Sequence, residues 1–187
     1  MRSNPLPSKE TLHQRQDNPV TSERKIWIPA CVGIGSNLDN PVAQVRQAIA
    51  ALEKIDATRL IAASSLYRNP PMGPIEQPDY INAAATLLTR LAPRDLLARL
   101  QDLERRQGRE QKSRQRWGPR RLDLDILTYG HRTISEQTLQ IPHPGISERN
   151  FVLLPLLEIV PQLHIPNLGL VRKLVLEVDA STLEKIP

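Results

Sequence analysis

Four segments of this 187-residue chain alternate in hydropathy with the period of a strand, and two carry apolar residues at helical spacing. Most prolines and glycines fall between these segments rather than inside them. The two middle strands follow one another with no helix between, which makes them antiparallel neighbours instead of a repeating crossover unit. Together these observations predict an α+β fold with a ferredoxin-like βαββαβ core, an antiparallel sheet with its helices packed on one face.

Residues 25 to 34 open the domain, with Ile26, Ile28, Ala30, Val32 and Ile34 alternating as a strand. Gly35-Ser36-Asn37 predicts a tight turn packed against the sheet. Asp39 or Asn40 suits a helix cap and Pro41 the first helical position. Val42, Val45, Ile49 and Leu52 then recur at helical spacing. Residues 58 to 67 read as the second strand. Residues 68 to 79 cannot continue it, because their prolines remove backbone donors and restrict the chain to extended or turn shapes. A loop of this length inside a domain is often functional.

Residues 80 to 90 form the third strand, with Tyr80, Asn82, Ala84 and Thr86 on one face. A helix over 93 to 107 carries the stripe Leu96, Leu97, Leu100 and Leu103, with Gln101 and Glu104 on another face. Residues 108 to 120 make a basic loop, and 121 to 129 the fourth strand. In that strand Leu122, Leu124 and Ile126 point one way and Asp123 and Asp125 the other. A hairpin-like stretch and a helix over 147 to 158 follow. Residues 170 to 177 read as weakly strand-like, and the last residues as frayed.

The length suits one domain, expected over residues 25 to 178. Residues 1 to 24, polar and proline-containing, read as a flexible N-terminal extension, and 179 to 187 as a tail. The extension lacks the apolar centre of a signal peptide. No run approaches 18 apolar residues, so no membrane association is expected. Cys31 stands alone, which excludes an intrachain disulfide and a cysteine metal cluster. A lone thiol in an apolar run fits a buried strand position and a reducing, cytoplasmic compartment. The formal net charge of +5 suits an anionic partner without naming one.

Asp123-Leu124-Asp125 is the strongest chemical signal. Two carboxylates two apart on a strand face the same way, and like charges held together need a positive partner or a shifted pKa. Magnesium takes carboxylates together with phosphate oxygens. A solvated strand face would carry the same residues, although strands disfavour Asp. Arg109, Lys112, Arg114, Arg116, Arg120 and Arg121 lead into that strand. They suit a lid over a triphosphate, a nucleic-acid contact or a solvated helix end. The adjacent aspartates favour the triphosphate. Tyr80 beside Asn82 could stack on and hydrogen-bond to a heterocycle, or serve the sheet alone. His143, between two prolines, could donate to a phosphate or be structural. Gly33 to Asn37 matches neither the dinucleotide fingerprint nor a phosphate loop.

The run Arg116-Trp117-Gly118-Pro119-Arg120-Arg121-Leu122-Asp123-Leu124-Asp125 closely resembles the signature of the 6-hydroxymethyl-7,8-dihydropterin pyrophosphokinases of folate biosynthesis. Val32-Gly33-Ile34-Gly35-Ser36-Asn37, Tyr67-Arg68-Asn69-Pro70-Pro71-Met72-Gly73, Gln77-Pro78-Asp79-Tyr80-Ile81-Asn82 and Pro142-His143-Pro144 extend the likeness over roughly residues 26 to 170. The resemblance implies transfer of the β,γ-pyrophosphoryl group of ATP to the pterin hydroxymethyl oxygen, with release of AMP. It implies two magnesium ions held by Asp123 and Asp125. Asn69, Pro71, Met72, Tyr80, Asn82, Arg149 and Phe151 would bind the pterin. Gln101, Glu104, Arg109, Trp117, Arg120 and His143 would bind ATP, with Arg109 and Arg120 also catalytic. Asn69 departs from the threonine frequent at its position, which a backbone role tolerates. The implied partners are these small molecules, with no nucleic acid, on a monomer or weak homodimer.

Overall fold

The computed structural model describes residues 26–108 and 118–186. The N-terminal extension expected over 1 to 24 and the basic loop from 109 to 117 lie outside the described residues. In chain order the core runs β1 (Ile28–Ser36), α1 (Pro41–Leu52), β2 (Thr58–Ala63), β3 (Leu66–Asn69), β4 (Tyr80–Thr89), α2 (Pro93–Arg106) and β5 (Asp123–Tyr129). This is the βαββαβ order with the second strand divided in two. A hairpin of β6 (Ile134–Ser135) and β7 (Gln140–Ile141) leads to α3 (Asn150–Ile159). A second hairpin, β8 (His164–Ile165) and β9 (Gly169–Leu170), leads to α4 (Val171–Leu174) and finally β10 (Glu184–Ile186).

The main sheet has the order β10-β3-β4-β1-β5, with β2 also on β4, and every pairing is antiparallel. Pro41 opens α1, and the Asn40 side chain accepts from the Ala43 amide at 3.3 Å. Pro93 opens α2, with Asp95 in the first turn and Arg105 and Arg106 in the last, each suiting the helix dipole. Val45, Ala48 and Leu52 of α1 and Leu96 and Leu100 of α2 are fully buried. They meet Ala30, Val32, Ile34, Ala83, Ala85, Leu124 and Ile126 on one face of the sheet. The opposite face presents Cys31, Ala84 and Leu127 to Val152, Leu153 and Leu156 of α3 and to Val171 and Leu174 of α4. So the two core helices share one face, as the sequence predicts, and the C-terminal helices partly cover the other.

Four sequence expectations change. The strand expected over 58 to 67 breaks at Ser64. Its hydroxyl accepts from the Ala84 amide at 2.9 Å, so a side chain replaces a ladder bond and the strand restarts at Leu66. The expected turn at Gly35-Ser36 is instead the end of β1, and neither Gly33 nor Gly35 adopts a left-handed backbone. The weak strand expected over 170 to 177 becomes a helical turn, because Val171 and Leu174, three apart, are both buried. The expected frayed end instead adds β10 to the edge strand β3, where Glu184 pairs with Arg68 at 3.1 Å.

Candidate active site

The sheet face opposite α1 and α2 is only partly covered by α3, and the gap is a cavity of about 300 Å³. That volume lies within the range of small-molecule sites. Strand register builds its floor. Gly35 of β1 sits between Asn82 of β4 and Asp123 of β5, and Gly33 sits between Ala84 and Asp125. A methyl group on Gly35 would stand 2.9 Å from Asn82 Oδ1. Glycine here keeps the central strand flat so that the flanking side chains converge above it.

Asn69, Met72, Tyr80, Asn82, Arg120, Asp123, Asp125, His143, Arg149 and Phe151 all line this one cavity. Asn69 closes β3, and its Oδ1 accepts from Asn82 Nδ2, so the two amides orient each other. Tyr80 donates to the Gly118 carbonyl at 2.9 Å, which joins this wall of the cavity to the segment entering β5. Pro71 falls in an adjoining open groove with Met72 and Phe151. Glu104 turns inward at 4% exposure, in line with Leu96 and Leu100, and its Oε1 accepts from the Leu124 amide at 2.8 Å. It thereby holds the backbone between the two aspartates. Gln101 is exposed on α2, and neither it nor Glu104 lines the cavity. Arg109 and Trp117 lie outside the described residues.

The electrostatics of the floor are unusual. Burial, and then the neighbouring Asp123, push the Asp125 carboxyl up to about 7. The side chain opens to the cavity, with 43% exposure, but the groups beneath and around it are protein. Arg120 Nη1 donates to Asp123 Oδ1 at 2.6 Å. Burial opposes the Arg120 charge, yet Asp123 outweighs it and raises the guanidinium above its ordinary value. Burial, then Arg149, lowers His143 to about 4. His143 Nδ1 accepts from the Gly145 amide at 3.1 Å, so the neutral ring carries its proton on Nε2, 3.7 Å from Asp125 Oδ2. The His143 amide is bonded to the Leu127 carbonyl at 3.0 Å, which anchors the ring to β5.

Asn37 is a residue that sequence reasoning missed. It is 1% exposed, and its amide and Oδ1 bond to the backbone of Arg120 at 2.9 and 2.7 Å. Its Nδ2 donates to Gln77 Oε1 and to the Pro78 carbonyl at 3.0 and 3.1 Å. One side chain therefore ties the proline loop to the segment that carries Arg120. The available signal was an asparagine at the end of an apolar strand, where a buried amide needs several partners.

The donor set can be tested for a metal. Among the described residues no group of three or more His, Cys, Asp or Glu is placed to hold an ion. A closed protein-only site is therefore absent among them. Two carboxylates on one face, one of them uncomfortable as a neighbour of the other, instead fit magnesium, which completes its shell with substrate phosphates and water.

Comparison with known proteins converges on one family. Residues 31–161 match 7,8-dihydro-6-hydroxymethylpterin-pyrophosphokinase. The chain is 45% identical over 148 residues to the 2-amino-4-hydroxy-6-hydroxymethyldihydropteridine pyrophosphokinase of Haemophilus influenzae, covering 79% of this chain and 91% of that one. It is 42% identical over 156 residues to the enzyme of the same name from Pseudomonas aeruginosa, covering 83% and 95%. Among solved structures, wild-type HPPK-DHPS of Plasmodium falciparum superposes with a TM-score of 0.64 at 14% identity. That match covers 81% of this chain but 45% of the other, and it speaks for the fold. The chain belongs to the 7,8-dihydro-6-hydroxymethylpterin-pyrophosphokinase family, enzymes that transfer the pyrophosphoryl group of ATP to hydroxymethyl-dihydropterin in folate biosynthesis.

Proposed function

We propose that the cavity over β4, β1 and β5 performs this transfer with a division of labour between its two ends. The convergence of a ring-sized slot with the aspartate pair in one cavity carries the reading. The pterin ring lies between Tyr80 and Phe151, and Asn82 and Asn69 read its edge with both donor and acceptor groups. Met72, the backbone around Pro71, and Arg149 complete that end. ATP lies towards Arg120 and His143, and the family likeness assigns Arg109, Trp117, Gln101 and Glu104 to it as well, although Gln101 and Glu104 do not line this cavity.

Asp123 and Asp125 are the residues that would hold two magnesium ions. Bound there, the ions would neutralise phosphate charge and align the two substrates. In the transfer the hydroxymethyl oxygen bonds to the β-phosphorus. The bond from that phosphorus to the oxygen shared with the α-phosphate breaks, AMP departs, and the hydroxyl proton passes to water. Arg120 neutralises charge on the phosphate oxygens as it develops, and the fixed Nε2–H of His143 offers a donor without reorganisation. The remaining acceleration comes from alignment of two substrates that would otherwise have to meet in line. No side chain is assigned as a general base.

The enzyme is read as cytoplasmic, acting as a monomer or weak homodimer on small molecules and not on nucleic acid. Among the described residues no helix is long and apolar enough to cross a membrane. The test is incubation of the protein with ATP, magnesium and 6-hydroxymethyl-7,8-dihydropterin, with the nucleotide products resolved. AMP formed only when pterin is present supports the reading. ADP, or a product independent of pterin, would sink it.

A further inference from the structure

Outside the cavity, a dense polar cluster centres on Glu158 in the last turn of α3. Its Oε2 accepts from the Ser65 amide at 3.1 Å and the Tyr67 hydroxyl at 2.8 Å. Its Oε1 accepts from the Ser65 hydroxyl at 2.8 Å and from Lys185 Nζ at 3.3 Å. Four donors from the strand break, from β3 and from β10 thus meet one carboxylate, which uses most of its acceptor capacity. Burial opposes the Glu158 charge, but the bonds from Ser65, Tyr67 and Lys185 outweigh it and hold the carboxyl below its ordinary value. Burial, then Glu158, pushes the Tyr67 phenol up to about 12, so it remains a donor.

The position of this cluster relates it to the slot. Phe151 and Glu158 lie seven residues apart on α3. That is two turns and about 10 Å along the same side of the helix. Tyr67 and Asn69 lie two apart on β3 and share a face, about 7 Å apart. The side of α3 that meets β3 is therefore pinned at one end by Glu158 and faces the cavity at the other with Phe151. Among the described residues, Glu158 makes the hydrogen bonds that join an α3 side chain to β3 and the preceding break. The apolar packing of α3, through Val152, Leu153 and Leu156, is on Cys31, Ala84 and Leu127 of β1, β4 and β5 and is non-directional.

We propose that Glu158 is a positioning residue for the pterin slot. Through Ser65 and Tyr67 it sets α3 against β3, and so holds Phe151 opposite Tyr80. The proposal rests on the reading of Tyr80 and Phe151 as the two walls of the ring site. It assigns Glu158 no contact with substrate and no part in the ATP end.

A double-mutant cycle on the full-length protein tests it. Binding of 6-hydroxymethyl-7,8-dihydropterin is measured by calorimetry with magnesium and a non-hydrolysable ATP analogue present, well below the melting temperature. Glu158→Ala is expected to weaken pterin binding about tenfold, comparable to losing a stacking face, and to leave affinity for the ATP analogue alone within about twofold. Phe151→Ala is expected to weaken pterin binding by at least as much. In the Phe151→Ala background, Glu158→Ala should then add little, because the two residues act as a unit. Tyr67→Phe, which removes one of the four donors and keeps the ring, provides a milder variant should Glu158→Ala fold poorly. A two- to threefold loss of pterin affinity is expected from it. If Phe151→Ala leaves pterin binding unchanged, the slot reading fails and takes this proposal with it. If Phe151→Ala weakens binding but the effect of Glu158→Ala is absent, fully additive, or equal for pterin and nucleotide, the clamp alone is overturned. With Tyr67→Phe as the only soluble clamp variant, pterin affinity equal to that of the parent overturns it as well.

Discussion

On the α1–α2 side of the sheet, β1 presents Ala30, Val32 and Ile34, and β5 presents Leu124 and Ile126. On the other side the same two strands present Gly33 and Gly35, and Asp123 and Asp125. One parity of residues is apolar and closed off from water. The other is small or charged and open to a cavity. The strand period of two lets a single backbone serve both, and the closed face supports the cost of the open one. Burial of the first set stabilises the strands by about 1.5–3 kcal/mol per large side chain, which offsets an aspartate held against its neighbour on the second. The division can be broken residue by residue, because adjacent positions lie on opposite faces.

The largest effect is expected at Asp125. Asp125→Asn keeps the shape and removes a charge from the pair. Its kcat/KM for AMP formation should fall on the order of 10³-fold or more, as a lost carboxylate in a metal-assisted phosphoryl transfer would cause. Without metal or substrate the same variant should melt at a higher temperature than the parent at pH 8. There the parent carries a charge pressed against Asp123 and the variant does not. Leu124→Ala, one residue away, should do the reverse, losing about 2–5 kcal/mol of stability through a cavity in the closed face. Its remaining folded fraction should keep most of its rate. Activity per folded molecule, measured beside calorimetric melting, separates the two. A Leu124→Ala protein as catalytically dead as Asp125→Asn would show that the faces are not independent.

A smaller contrast is expected on β1. Gly35→Ala places a methyl 2.9 Å from Asn82 Oδ1, so the amide must move. KM for pterin should rise about tenfold, the scale of one mispositioned polar contact, while KM for ATP changes little. Ile34→Ala removes a side chain that is 2% exposed on the closed face. It should cost about 2–5 kcal/mol in chemical denaturation with KM for pterin unchanged. An unchanged pterin KM in Gly35→Ala would remove the floor role given to this glycine.

The two faces also differ in how far they could be read from the sequence. Alternation in 121 to 129 and the leucine stripe of 93 to 107 mark the closed face, because apolar burial writes a period into the chain. Asp123 and Asp125 were legible for the same reason, as charges breaking an apolar strand. Gly35 was not, since a glycine before Ser-Asn signals a turn as readily as a floor, and only the register with Asn82 and Asp123 decides. Asn37 was missed because its three partners, Gln77, Pro78 and Arg120, lie forty and more residues away. β10 was missed because a three-residue strand carries too little pattern to register.

The smallest net effect is expected where two shifts oppose each other. Asp125 titrates near 7 in the folded protein against an ordinary value of 3.8, so between these values the folded state binds the extra proton and its stability falls as pH rises. His143 titrates near 4 against 6.5, so over that window the unfolded state binds the extra proton and stability rises with pH. The two windows overlap from about 4 to 6.5, and the slopes cancel there. Their nitrogen and oxygen, 3.7 Å apart, are also never charged together, since one group gains its charge below about 4 and the other above about 7. Metal-free parent protein should therefore show little pH dependence from this pair between pH 4.5 and 6.5. Asp125→Asn should unmask a stability that rises with pH over that range, and His143→Gln one that falls. Melting temperatures of the three proteins across the range measure it. Parallel curves would mean that neither group is buried in its neutral form, and the open face would then owe the closed one no stability at this site.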